Sequence, residues 1–149
     1  MRVSKRVRYG LRIMGELAAS FGSGPVAADV IAGRQGISGK FIRTFIGGLL
    51  RAGLVRGARG LNGGYELARP PATIRAVEVV LALEGPVALT DCQAGRAGCR
   101  RADRCAARGL WGEVTAAVVS VLDRWTLADL VPPAAGKPGM RRVAVGGRK

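Results

Sequence analysis

At 149 residues the chain suffices for one ordinary domain with a projecting element, and 48% apolar residues with 5% aromatic ones exclude an intrinsically disordered chain. Its formal net charge of +14, from 24 Lys and Arg against 10 Asp and Glu, points to a polyanionic partner or an anionic surface. No apolar run of about 18 residues exists to cross a bilayer, and MRVSKRVRYG at the start lacks the apolar stretch of a secretory signal, so a soluble cytoplasmic protein without a membrane partner is expected.

The first element is a helix from Ser4 to Phe21. Val7, Leu11, Met14, Leu17 and Phe21 recur on one face, Ser4 is the predicted N-cap, and the glycines of FGSGP end the helix. Lys5, Arg6, Arg8 and Arg12 crowd the start of this helix, where the dipole disfavours positive charge and an external anion would offset it.

A short periodic segment follows from Ala28 to Arg34, then Gly36 and Ile37, then Ser38 as a second N-cap. The next helix turns Phe41, Ile42, Phe45, Leu49 and Leu50 inward by its spacing. This is the pattern of a helix-turn-helix, whose second helix presents its N-terminal residues, here Gly39, Lys40, Arg43 and Thr44, to the major groove. A hairpin comes directly after it: a strand around Leu54 to Arg56, a tip of Arg59, Gly60, Leu61, Asn62, Gly63 and Gly64, and a return strand from Tyr65 to Ala68. An arginine-bearing glycine-rich hairpin in that place reads as a wing able to enter the minor groove. Lys40, Arg43 and Thr44 are expected at base edges, Arg59 in the minor groove, and Lys5, Arg6 and Arg34 on phosphates, with Ser38 and Asn62 in the same DNA-binding set.

Pro70 and Pro71 break the chain, Thr73 is the predicted cap of a short helix, and Val77, Val80, Leu81 and Leu83 are its packing residues. All three cysteines then fall within fourteen residues, at Cys92, Cys99 and Cys105, in a sequence with no histidine. An odd number of thiols leaves one over from any disulfide framework, so metal or redox chemistry is the better reading in a reducing compartment, with buried inert thiols as the alternative. Spacings of six and five residues suit a loop wrapped around a cluster and not the paired knuckles of structural zinc. Arg96, Arg100, Arg101 and Arg104 would offset the negative charge of such a cluster.

A longer helix from Ala106 to Trp125 carries Leu110, Val114, Ala117, Val118, Val121, Leu122 and Trp125 on a stripe too wide for one small chain to cover, which predicts a homodimer. The tail PPAAGKPGMRRVAVGGRK, with five Lys and Arg and no acids, reads as disordered. The expected architecture is mainly α with a small β-hairpin wing. Residues 1–84 form a winged helix-turn-helix domain, 85–131 the cysteine loop and dimerisation helix, and 132–149 a basic tail.

The basic first helix, the QGIS turn, the RGLNGGY wing, the ARPP break, the ALEGPVALTDC lead into the thiols and the closing LADLV together resemble the IscR and NsrR family of bacterial winged-helix transcription regulators, from Met1 to Val131. The resemblance implies a homodimer joined by the long helix, near-palindromic double-stranded promoter DNA as partner, and one iron-sulfur cluster per subunit, 2Fe-2S or 4Fe-4S, on Cys92, Cys99 and Cys105. It also implies a fourth ligand that this chain lacks. Arg108 stands where IscR-like proteins have a histidine, and Arg8 stands where some nitric-oxide sensors have an acid. Asp91, Asp103, Glu16, Glu113, a solvent oxygen or a small thiol are the remaining choices. The expected function is sequence-specific transcription regulation, leaning to repression, under control of the cluster. A cluster-free thiol-redox regulator and a basic RNA-binding protein are the alternatives. No nucleophile and base pair, phosphate loop or carboxylate dyad points to an enzyme.

Overall fold

Ser4 starts the first helix as its composition requires: the side-chain oxygen accepts from Val7 N at 3.2 Å, and α1 runs over Lys5–Ala19. The computed structural model describes residues 2–60, 63–94, 99 and 101–131. α1 buries Val7, Ile13, Met14 and Leu17, while Leu11 is half-buried and Phe21, predicted on the inner face, lies beyond the helix end and is exposed. α2 spans Ala28–Gln35 and ends at Gly36, whose φ of +62° is a left-handed cap that a side chain would strain. Ser38 then caps α3, Gly39–Arg51, by accepting from Phe41 N at 3.3 Å.

The buried stripe of α3 is Ile42, Phe45, Ile46 and Leu49. Phe41 and Leu50, predicted inward, are 46% and 38% exposed. Ile46 completes a narrower face than the one assigned to them, and both are left at its rim.

β1 (Val55–Ala58) and β2 (Gly64–Leu67) pair antiparallel, with Arg56 opposite Glu66 and Gly57 opposite Tyr65. Arg56 and Glu66 form an ion pair at 2.8 Å. Val26 adds a bridge on the other side of Tyr65, with both N–H to O distances at 2.9 Å. That bridge explains Gly64, which is the first residue of β2: a Cβ there would stand 2.3 Å from Val26 O. The wing is thus fastened at its root to the segment leading into α2.

Pro71–Thr73 form a 3-10 turn, and α4 spans Ala76–Glu84. Thr73 is not the cap of this helix, because the chain stays extended through Ile74 and the capping position is Arg75. The carboxylate of Glu78 accepts from Arg75 N at 2.8 Å. Val79 is fully buried, and Leu81, predicted to pack, is exposed. α5 spans Ala106–Arg124 and has no buried residue over about 28 Å of length. Its C-terminal end is tied to α4, by Arg75 to Asp123 at 2.8 Å and by Ala76 N to Trp125 O at 2.8 Å. The chain then returns to the core: Leu127, in a 3-10 turn over Leu127–Leu130, is fully buried among residues of α1, α3 and α4. The tail, residues 132–149, lies outside the described residues, as does Asn62 at the wing tip.

Candidate nucleic-acid interface and cysteine pocket

Lys40, Arg43 and Thr44 all lie exposed on the first turns of α3, set by the Ser38 cap. The Thr44 hydroxyl donates to Lys40 O at 3.0 Å, which leaves its oxygen free to act as an acceptor. Arg43 and Arg59 line one groove with Ala28, Gly57, Gly63 and Tyr65, which joins the second helix of the helix-turn-helix to the wing. Gly60, with φ of +106°, turns the chain directly after Arg59. Lys5 and Arg6 are exposed on the first turn of α1, which holds no acid.

Arg34 differs from these. It pairs with Glu16 at 2.9 Å, and Glu16, with a side chain 13% exposed, also accepts from Gln35 at 2.8 Å. Arg12 donates to the Gln35 side chain at 2.9 Å and to its carbonyl at 2.7 Å. This lattice joins α1 to α2. It also occupies Glu16, one of the carboxylates considered as a cluster ligand.

Tyr9, Phe41 and Phe45 form an aromatic group between α1 and α3, with centroids 5.4 to 6.4 Å apart. The guanidinium carbons of Arg8 and Arg12 lie 5.9 and 5.7 Å from the Tyr9 ring centre. Tyr9 carries no signal in the sequence, because it lies far from Phe41 and Phe45 along the chain.

Cys92 is half-buried, with the Thr90 hydroxyl 3.2 Å from its sulfur. Cys105 is exposed immediately before α5, and Cys99 is exposed in the loop. Cys92 and Cys105 line one open concavity of about 760 Å3 with Gln93, Arg108, Gly112, Thr115 and Val119. The Arg108 guanidinium donates to Ala102 O at 3.3 Å. Gln93 and Thr115, also missed from sequence, tie the loop to the helix at 2.7 Å. Among the described residues no three Cys, Asp or Glu side chains converge as a metal set, and Cys99 does not line the concavity. In kind the donors fit an iron-sulfur cluster, since thiolates are its preferred ligands; in number they are one short of four.

A helix-turn-helix with a wing fastened to its root, followed by a thiol-bearing loop and a long helix, defines a winged-helix transcription regulator. The chain belongs to the Rrf2 family, described as "Iron-dependent Transcriptional regulator", which matches residues 3–133. It is 37% identical over 131 residues to Protein rrf2 of Nitratidesulfovibrio vulgaris, covering 88% of this chain and 87% of that one. It is similar in structure to CymR, the global cysteine regulator of B. subtilis, with a TM-score of 0.75, 36% identity, and coverage of 87% of this chain and 95% of that one. It is also similar to T. potens IscR, with a TM-score of 0.72, 36% identity, and coverage of 87% and 85%. The resemblance read from the motifs is therefore borne out. The chain is a DNA-binding regulator and not an enzyme. No helix among the described residues is long and apolar enough to cross a membrane.

Proposed function

We propose that this chain is a cytoplasmic, homodimeric regulator of transcription whose affinity for promoter DNA is set by an iron-sulfur cluster on Cys92, Cys99 and Cys105, with an exchangeable fourth ligand. Residues 1–84 bind DNA, and residues 85–131 carry the cluster and pair the subunits. The observation that carries this reading is the placing of two thiols in one concavity at the foot of α5, a helix that buries none of its own residues within the chain. When bound, the cluster would supply a centre sensitive to oxidants and small ligands. Gln93 and Thr115 join the loop to α5, so loss of order in the loop would reach the helix that spaces the two recognition elements. Lys40, Arg43 and Thr44 read bases, Arg59 enters the minor groove, and Lys5, Arg6 and Arg34 hold phosphates. For Arg34, phosphate binding competes with Glu16.

The test is anaerobic purification with an absorption spectrum and iron and sulfide per subunit, followed by operator affinity for holo and apo protein at one salt concentration. A visible spectrum lost in each single Cys→Ala variant, with affinities that differ, is expected. Equal affinities would remove the cluster from control. A second reading, a thiol-redox regulator without metal, is favoured by Cys92 and Cys105 sharing the concavity while Cys99 does not. A colourless anaerobic protein whose DNA binding changes on oxidation would support it.

A further inference from the structure

An aromatic residue at the start of a helix, four positions before another aromatic, ordinarily belongs to the core stripe. In α3 that stripe is complete without Phe41: Ile42, Phe45, Ile46 and Leu49 are each 3% exposed or less, while Phe41 is 46% exposed. Its neighbours one turn on are Thr44 and Phe45, so it stands at the border between the buried face and the face that carries Lys40, Arg43 and Thr44. Its ring does not lie loosely on the surface. It is edge-on to Tyr9 at 6.3 Å and packs on Phe45 at 5.4 Å, and Tyr9 is covered by Arg8 and Arg12. A large apolar side chain is thus held in place and half open to solvent, among cations.

A phenyl ring has no donor or acceptor for a phosphate or for the polar edges of adenine, guanine and cytosine. In the major groove the apolar feature open to it is the C5-methyl group of thymine. We propose that Phe41 is a specificity-determining residue that packs its exposed edge on one thymine methyl in each half-site. The inference rests on the reading of α3 as the major-groove helix. On this view Lys40 and Arg43 select by hydrogen bonds, and Phe41 adds selection by apolar contact, at a position fixed by Tyr9.

The experiment uses the full chain and an operator obtained by in vitro selection, in which each thymine is replaced in turn by deoxyuridine. One thymine per half-site should lose about fourfold in affinity with its methyl group, the equivalent of one buried methyl. In Phe41→Gln the same replacement should have no effect, and Phe41→Leu, which keeps an apolar contact, should retain part of it. Circular dichroism melts of both variants show whether the fold is intact, and the leucine variant serves alone if the glutamine variant does not fold. A scan with no sensitive thymine overturns the proposal, as does sensitivity unchanged in the variants. Arg43→Ala in the same assay separates the two levels. Altered base preference there with a flat thymine scan defeats the Phe41 proposal alone, and unaltered preference with a flat scan defeats the α3 reading as well.

Discussion

Thr115 on α5 donates a hydrogen bond of 2.7 Å from its hydroxyl to the side-chain carbonyl of Gln93, the residue that follows Cys92. The Gln93 amide in turn points at Arg108 O, at a longer 3.5 Å. One side chain thus couples the thiol loop to two residues of α5 about two turns apart, and the shorter bond carries most of the coupling. Gln93→Leu and Thr115→Val should each raise hydrogen exchange around Cys92 about fivefold, the effect of losing one hydrogen bond of about 1 kcal/mol. Exchange in α1 and α3 should stay as it was. Unchanged exchange near Cys92 would mean the bond is incidental.

Gly64 and Gly57 lie on paired strands and should respond differently to the same change. A Cβ on Gly64 would meet Val26 O at 2.3 Å, whereas on Gly57 its nearest neighbour is at 3.9 Å. Gly64→Ala should cost about 1 to 3 kcal/mol, as overpacking does, and displace the wing. Gly57→Ala should be near neutral. Thermal melts of the two variants provide the comparison, and equal midpoints would show that the bridge at Val26 yields easily.

How the sequence could and could not be read follows from the range of each signal. Ser4 and Ser38 act within one turn, and their roles are legible because caps restrict residue type locally. Phe41 and Leu81 were misplaced because a spacing of three or four residues fixes a face only to within about a residue's width, and the rim of a buried stripe looks like its centre. Residue type points to Thr73 as the cap, yet the capping position is Arg75, where Glu78 provides the bond from the other end. Leu127 belongs to the LADLV motif but lies in a turn too short for periodicity to mark it as buried, and the Arg12, Glu16, Arg34 and Gln35 lattice joins residues 18 to 23 apart and leaves no local trace. Of the site, the thiols and cations were visible as residue types. Which two thiols share a concavity depends on the path of the loop.

Base reading and phosphate holding separate by measurement. Arg43→Ala should relax preference at one operator position by about 1 to 3 kcal/mol, whereas Lys5→Ala should weaken all sequences alike and lower the salt slope by about 1. Arg43 shares its groove with Arg59, so both variants are best compared with Arg59→Ala, which should lose most on sites with A·T-rich flanks. Uniform loss from Arg43→Ala would assign it to the phosphates.

Val121 is 45% exposed and Leu110 58% exposed on a helix none of whose residues is fully buried. Val121→Glu, at an exposed position, should therefore leave the fold of the single chain intact, and both it and Val118→Glu, at a half-buried one, should oppose pairing, by several kcal/mol where two carboxylates meet across a two-fold axis. Sedimentation should show a monomer with unaltered helical content, and DNA affinity should fall with it. A dimer persisting in both variants would place the interface elsewhere.

Arg108 lines the concavity of Cys92 and Cys105 from the first turn of α5, and its guanidinium donates to Ala102 O at 3.3 Å. A guanidinium has donors only and stays protonated, so it cannot replace an imidazole as an iron ligand. Its contact with the loop backbone instead suggests that it holds the loop near the helix. Arg108→His would exchange that contact for a nitrogen donor one turn from Cys105, on the same side of the concavity. The visible absorption of the anaerobically purified protein should then bleach more slowly in air, by about tenfold if the added ligation raises the barrier by about 1.4 kcal/mol. Arg108→Gln, which loses the cation without adding a strong ligand, should bleach no more slowly than the parent protein. Equal bleaching of the histidine and glutamine variants would show that the position does not reach the iron, and would leave the fourth ligand to a carboxylate, a solvent oxygen or a small thiol.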